Sequence, residues 1–134
     1  GNTAGSNVTI DNSAGTSMLY ARNIDSYVGV GTSSPTSRLH NAGSFALPVR
    51  STTATATLAA TDYCLIFTGS SLSQTINIPS AIGITGRVYS IVNHSTVTVN
   101  ISTVRTGSVS TISTLAAGVA LQIISDGTSW RQIN

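Results

Sequence analysis

The residue composition of this chain favours β-strands, and this constrains its fold more than any other feature of the sequence. Val, Ile and Thr are common, whereas Lys and Glu are absent and Gln is scarce, so the chain lacks good helix formers. Apolar and polar residues alternate in short runs such as 75–78 and 97–102, and this period of two is the pattern of a half-buried strand. We therefore predict an all-β protein.

Residues 51–134 carry the clearest alternation and are predicted to form a globular head. The run 87–93 has apolar residues on both faces, as a central strand has. Asp126-Gly127 is a tight-hairpin signal between two further strands. Alternating residues of two strands are predicted to face the core: Tyr63, Leu65 and Phe67, and Val119, Leu121 and Ile123. About six to eight short antiparallel strands at this spacing predict a β-sandwich or jelly-roll-like head.

Residues 1–50 are predicted to form a thin stem. Candidate strands lie at 8–10, 18–24, 27–30 and 45–50. Their apolar residues are scattered among Gly, Asn, Ser and Thr, so the segment buries too little apolar surface to close a core alone. We expect it to be ordered by wrapping with neighbouring chains. The low-complexity run 51–57 marks the expected boundary with the head.

The charge composition argues against two classes of partner. Charged residues make up 7% of the chain, far below the ~25% of typical soluble domains. The net charge of +2 is spread without a basic cluster, which argues against nucleic-acid binding. No apolar run approaches the ~18 residues of a membrane span, so membrane insertion is not expected either.

Four stretches of the chain resemble phage tail-fibre proteins and bacterial surface proteins built like them. The run 27–40, YVGVGTSSPTSRLH, resembles the V-G-[IV]-G-T-x-S-P-x-x-x-L-H segment that lies between shaft and tip in those fibres. The head is similar to their tip domains in its ordered motifs: ATDY at 60–63, GRVYSIVN at 86–93 and SDGTSW at 125–130. The likeness covers most of residues 27–134.

The resemblance implies a homotrimeric fibre fragment on the virion surface, outside the cell, with an interwoven stem joined to an upstream shaft. It implies a non-enzymatic distal tip that attaches a phage or phage-like particle to a glycan or protein receptor on the host. A structural or adhesive subunit of a bacterial surface fibre is the alternative. Asn41, where an apolar residue commonly follows Leu-His, and the loop 105–110 depart from the pattern, so the resemblance does not supply the ligand.

Catalysis is not expected from these residues, although a capsule-degrading tailspike is a third reading. Glycoside hydrolysis usually needs two converging carboxylates. The available carboxylates are those of Asp11, Asp25, Asp62 and Asp126. Asp62 is explained by hydrogen bonding at a strand start and Asp126 by its turn. No metal or cofactor is expected, because His40 and His94 are isolated in sequence and His ligands normally come in clusters.

Recognition is instead predicted in loops, which carry binding residues on a rigid scaffold. The candidate ligand-binding residues are Asn93, His94, Arg105 and Thr106, in loops predicted after residues 92 and 104. Arg105 would offer a planar donor fork to a sugar carboxylate or phosphate, and Asn93 with His94 would bind vicinal hydroxyls. A solvated loop charge is the alternative for Arg105.

Two single-copy residues are predicted to belong to the core. Trp130 could stack on a sugar, but a Trp on a terminal strand more often anchors the core. Cys64 lies within an apolar strand with no basic neighbour that would lower its pKa, so it is predicted to be a small buried hydrophobe.

Overall fold

The computed structural model describes residues 6–105 and 110–134, and this part of the chain consists of strands, turns and loops without a helix. The prediction of an all-β protein is confirmed. Within the same residues there is accordingly no helix long and apolar enough to cross a membrane. The chain divides into a first unit ending at Ala46 and a second unit over Leu47–Asn134.

The strands are β1 (Val8–Asp11), β2 (Ser17–Arg22), β3 (Tyr27–Val30), β4 (Leu39–Asn41), β5 (Val49–Thr52), β6 (Ala56–Thr57), β7 (Cys64–Phe67), β8 (Thr75–Asn77), β9 (Val88–Asn93), β10 (Val99–Arg105), β11 (Thr111–Leu115), β12 (Ala120–Ser125) and β13 (Trp130–Gln132).

The first unit contains a four-stranded sheet whose strands follow chain order, β1–β2–β3–β4. The first two pairings are antiparallel, whereas β4 runs parallel to β3. Strands β1 to β3 correspond to the predictions at 8–10, 18–24 and 27–30. Strand β2 ends at Arg22, before the predicted end, because the chain then turns through Ser26 in the left-handed conformation (φ 59°).

The chain returns from the end of β3 to the parallel strand β4 through a loop at residues 31–38, which is rich in Ser and Thr. Gly29 has no room for a side chain, because a Cβ would lie 2.3 Å from the carbonyl oxygen of Thr32. The Oγ1 atom of Thr32 accepts a hydrogen bond from the backbone N–H of Ser34 at 3.1 Å. The backbone N–H of Thr36 donates to Nδ1 of His40 at 3.2 Å. His40 therefore has a structural role in closing this loop.

The second unit contains one nine-stranded sheet of mixed direction. Its order is β5–β7–β9–β12–β13–β10–β8–β6, and β11 pairs with β10. Among the described residues, five of the eight pairings are parallel and three are antiparallel. The prediction of antiparallel strands throughout is therefore wrong. Most neighbours in this sheet are distant in sequence, so turn spacing does not reveal their direction.

The nine-stranded sheet curves almost into a barrel around a single apolar core. Pro35 of the first unit is also buried, but the buried residues of the apolar core all belong to the second unit: Leu58, Leu65, Phe67, Ile76, Ala81, Tyr89, Ile91, Val99, Ile101, Val104, Leu115, Leu121, Ile123 and Trp130. The inward positions predicted for Leu65, Phe67, Leu121 and Ile123 are confirmed, and so is the core position of Trp130.

Three other predictions about packing are wrong. Val119 is 44% exposed, because it lies in the turn after Gly118 (φ 74°) and before β12 begins. Cys64 is only half-buried: it alternates with Leu65 along β7, so its thiol lies on the face opposite the core. The strand predicted at 45–50 begins only at β5, and Phe45 is exposed.

The two ends of the sheet, β5 and β6, are successive strands joined by residues 53–55. Arg50 of β5 spans them. Its Nε and Nη2 atoms donate to the Asp62 carboxylate at 3.0 and 2.6 Å, and Nη2 also donates to the carbonyl of Thr57 in β6 at 3.0 Å. Because β5 pairs with β7, it belongs to the second unit. The two units divide after Ala46, which is N-terminal to the boundary predicted between residues 50 and 51.

Candidate functional site

Strand β10 changes partners along its length, and this change opens the sheet. Asn100 and Ile101 pair with β8, whereas Arg105 pairs with Arg131 of β13 on the same edge. Between these pairings the register with β11 shifts, between Asn100 and Val104. Such a bulge re-aims side chains and interrupts the ladder. The sheet is therefore split between β8 and β13.

The end of β8 forms one wall of the split. The backbone N–H of Ile78 donates to Oγ of Ser102 at 2.9 Å instead of to a strand carbonyl. Pro79 follows and has no N–H with which to continue the ladder. Its carbonyl oxygen accepts a hydrogen bond from Nε1 of Trp130 at 2.6 Å. The indole also packs against Tyr89, with ring centroids 5.2 Å apart, so its orientation is fixed from two sides.

The hairpin turn between β12 and β13 forms the opposite wall, as the Asp-Gly signal predicts. Gly127 takes φ 94°, and Oδ1 of Asp126 accepts the backbone N–H groups of Thr128 and Ser129 at 2.9 and 2.7 Å. Oδ2 accepts Nε of Arg131 at 2.5 Å. The N–H groups of Ser129 and Thr128, followed by Arg131, hold the pKa of Asp126 far below its usual value. This carboxylate is ionised and occupied by its own turn.

Between these walls lies a cavity of about 350 Å³. That volume is at the lower end of the ~300–1,000 Å³ range of ligand sites. Pro79 and Trp130 give it an apolar wall, and Arg105 lines it from the end of β10. Hydroxyl groups line the rest, from Ser102, Thr103, Thr111, Thr128 and Ser129. None of the described residues that line it carries a carboxylate.

The charge around this cavity is positive. Arg105 and Arg131 are register partners on neighbouring parallel strands, so their side chains project from the same face of the sheet. Asp126 is paired with Arg131 through the contact given above. Among the described residues that line the cavity, Arg105 alone carries a charge, which favours an anionic or polar ligand over a cation.

The structure separates the residues that the sequence predicts as one site. Asn93 is fully buried, and its Nδ2 donates to the carbonyls of Val97 and Leu115 at 2.8 and 2.9 Å. Its Oδ1 accepts the hydroxyl of Ser95 at 2.6 Å. With all its polar atoms occupied inside the fold, Asn93 is a structural residue and is not available to a ligand. This corrects its predicted place in a loop.

His94 is exposed but does not line the cavity. It precedes the start of β10, whereas Arg105 ends that strand. The seven residues of β10 span six steps of ~3.3 Å, which place its two ends about 20 Å apart. His94 and Arg105 therefore cannot contact one small ligand together. Thr106 lies outside the described residues.

Sequence reasoning found Arg105 but missed the other parts of the cavity. One signal was present: Ile101 and Val104 both face the core although they are three residues apart, which breaks the period of two. That break marks the bulge at Ser102 and Thr103. The wall formed by Pro79 has no comparable signal, because Pro79 meets Trp130 from a distant part of the chain.

The described residues offer few groups for metal binding or for acid–base catalysis. They contain no group of three or more His, Cys, Asp or Glu side chains that could hold a metal ion. Asp25 accepts hydrogen bonds from Nε and Nη2 of Arg22, and Asp62 accepts hydrogen bonds from the same two atoms of Arg50. Arginine lowers the pKa of each carboxyl group. Comparisons with family models, curated proteins and solved structures find no match to this chain.

Proposed function

We propose that this chain is the non-enzymatic distal tip of a phage or phage-like tail fibre, which attaches the particle to a glycan on the host surface. In this proposal the chain is homotrimeric: the first unit contributes to an interwoven stem and the second forms the receptor-binding head. A structural or adhesive subunit of a bacterial surface fibre is the second candidate, because the same self-association would serve it.

The observation that carries the proposal is an uncovered apolar face on the four-stranded sheet of the first unit. Residues paired in register, and residues two apart on a strand, share a face. One face therefore carries two rows of side chains, Val8, Ala21, Val28 and Leu39, and Ile10, Leu19, Val30 and Asn41, and all of them except Asn41 are apolar. The other face carries Thr9, Tyr20 and Arg22 with their partners Gly29 and Tyr27.

The apolar face is accessible along its whole width. Leu39 is 62% exposed, Ile10 50% and Leu19 38%, and the apolar core of the described chain lies entirely in the second unit. A small sheet needs a covered apolar face for independent stability, and monomeric proteins rarely leave such a patch open. Second and third copies of the chain would cover this face, which supports a fibre.

The cavity in the head supports a recognition role. Hydroxyls, one guanidinium group and an aromatic wall are the groups that bind sugars by hydrogen bonding and apolar contact. A trimer would present three such cavities at one end of the particle. Weak single sites then add up to useful avidity through a high effective concentration.

The carboxylates favour binding over hydrolysis. A glycosidase needs a carboxyl group with a raised pKa as its general acid. Arginine instead lowers the pKa of Asp25 and Asp62, and the backbone N–H groups of Ser129 and Thr128, followed by Arg131, lower the pKa of Asp126. A reducing-end assay on host polysaccharide tests the third reading, a capsule-degrading spike, and release of reducing ends would refute a purely adhesive role.

Sedimentation tests the assembly. We expect the intact chain to sediment as a trimer at micromolar concentration and Leu19→Asp to sediment as a monomer, because it places a charge in the apolar face. Thr9→Asp is the matched control, since Thr9 lies on the opposite face, and it should remain trimeric. A monomeric wild-type chain would contradict the stem proposal.

Cell binding tests the attachment role. The fluorescently labelled chain should bind a panel of bacterial surfaces selectively, and periodate oxidation of surface sugars should remove this binding. Retained binding after oxidation would exclude a glycan receptor, and binding to no surface would exclude attachment.

A further inference from the structure

We infer that the cavity at the split between β8 and β13 binds a single anionic sugar residue, one that carries a carboxylate or a phosphate. This inference rests on the proposed attachment function and gives its receptor a chemical class. It also assigns the site to one end of β10 and excludes the β9–β10 loop at the other end.

The volume and walls set the size and shape of the ligand. A volume of about 350 Å³ is at the lower end of the range of ligand sites, so it suits a single sugar residue and not a long glycan segment. The indole of Trp130 is held by its bond to Pro79 and by its contact with Tyr89, so the apolar wall is formed in advance. A pre-formed wall lowers the ordering cost of binding a weak ligand.

The polar groups set the ligand's chemistry. Thr103, Thr111 and Ser129 offer hydroxyls that can both donate and accept, as the hydroxyls of a sugar require. Arg105 adds a donor fork that matches the planar oxygens of a carboxylate or phosphate. Asp126 does not oppose an anion strongly, because its charge is paired with Arg131 and bonded to its own turn.

The indole N–H of Trp130 provides a direct reporter, because it is the only Trp and lies in the wall. Its NMR signal should shift when methyl glucuronide or glucose 6-phosphate is added, and the neutral methyl glucoside should bind about 10-fold or more weakly. Comparing the two anionic sugars shows whether a carboxylate or a phosphate is preferred.

Three variants locate the interaction. Arg105→Gln should weaken binding of the anionic sugar by about 10- to 100-fold, the expected loss for a hydrogen bond to a charged group. Arg38→Gln removes the same charge from the exposed loop of the first unit and should leave affinity unchanged. Thr103→Phe fills the cavity from the exposed bulge and should abolish binding while the thermal unfolding temperature is kept.

The results separate the two proposals. Equal binding of glucoside and glucuronide, or full affinity in Arg105→Gln, would overturn the anionic-sugar inference. Inorganic phosphate that binds as tightly as glucose 6-phosphate, with no effect of Thr103→Phe, would reduce the site to a simple anion site and overturn it too. If neither anionic sugar binds but the wild-type chain still binds cells, only this inference fails. If the chain binds no cell surface, the attachment function fails.

Discussion

The ion pair between Arg50 and Asp62 should stabilise the second unit, because it joins the two end strands of the nine-stranded sheet. Asp62 is 8% exposed and accepts three hydrogen bonds: two from Arg50, at 3.0 and 2.6 Å, and one from the backbone N–H of Ala59 at 2.9 Å. Asp62→Ala removes both acceptor oxygens and therefore all three hydrogen bonds at once. It also leaves the guanidinium, which bridges β5 to Thr57 of β6, without its counter-charge.

The expected cost follows from these contacts. A hydrogen bond to a charged group contributes about 1.5–3 kcal/mol, but the Arg50 side chain is 39% exposed, so solvent screening reduces its share. We expect Asp62→Ala to lower the free energy of unfolding of the second unit by about 2–4 kcal/mol. That is a large fraction of the ~5–15 kcal/mol of a typical domain.

Urea unfolding followed by Trp130 fluorescence measures this cost, because the only Trp of the chain is buried in the second unit. The double variant with Arg50→Ala should show a coupling energy of about 1–2 kcal/mol. Asp25→Ala is the matched control: it breaks a similar Arg–Asp pair in the first unit and should leave the Trp130 transition in place. Additive effects of the two single substitutions would refute the reasoning.

The same pair predicts a dependence on pH. Arg50 and then the N–H of Ala59 lower the pKa of Asp62 from its ordinary value of 3.8. The stabilisation is therefore present above about pH 3.8 and is lost as the pH falls through the lower pKa of the folded state. In Asp62→Asn this part of the acid dependence should disappear. An unchanged acid transition in that variant would assign the acid sensitivity to other carboxylates.

Two further substitutions, each with a control, test the structural roles of Asn93 and Gly29. Asn93→Ala should lower the free energy of unfolding, followed by Trp130 fluorescence, by about 2–4 kcal/mol, because it leaves buried carbonyl groups without a hydrogen-bond donor. His94→Ala should change this free energy by less than ~0.5 kcal/mol. Equal effects of the two substitutions would contradict the structural role of Asn93. Gly29→Ala should destabilise the first unit by about 1–3 kcal/mol through the contact of its Cβ with Thr32, measured by amide hydrogen exchange over 27–41. Gly43→Ala is the control and should not destabilise the first unit, because a Cβ at Gly43 has no neighbouring atom within 4 Å. If Gly29→Ala keeps its protection from exchange, the loop relaxes around the new Cβ at little cost.

The sequence by itself determined the fold class and much of the packing. The period of two along each strand is a local property of the chain, so Leu65 and Phe67, or Leu121 and Ile123, could be assigned to one face without any tertiary information. The Asp-Gly hairpin was equally predictable, because the turn is made by its own residues.

Only the tertiary structure decided how the strands pair. Parallel pairings such as β7 with β9 join segments that are distant in sequence, and no local pattern encodes the direction of a neighbour. The same reason explains why Asn93 was wrongly predicted to lie in a loop. Its side chain is buried, and its amide donates hydrogen bonds to the carbonyls of Val97 and Leu115.

The cavity shows most clearly which features the sequence predicts and which depend on the tertiary structure. The sequence identified Arg105 as a candidate ligand-binding residue, but the residues that line the cavity with it come from the segment after β8, from the β10 bulge and from the turn before β13. These segments meet because β10 leaves β8 and joins β13. A cavity formed by a break in long-range pairing has no signature in one segment of sequence, so Arg105 could be named in advance but the residues that it meets could not.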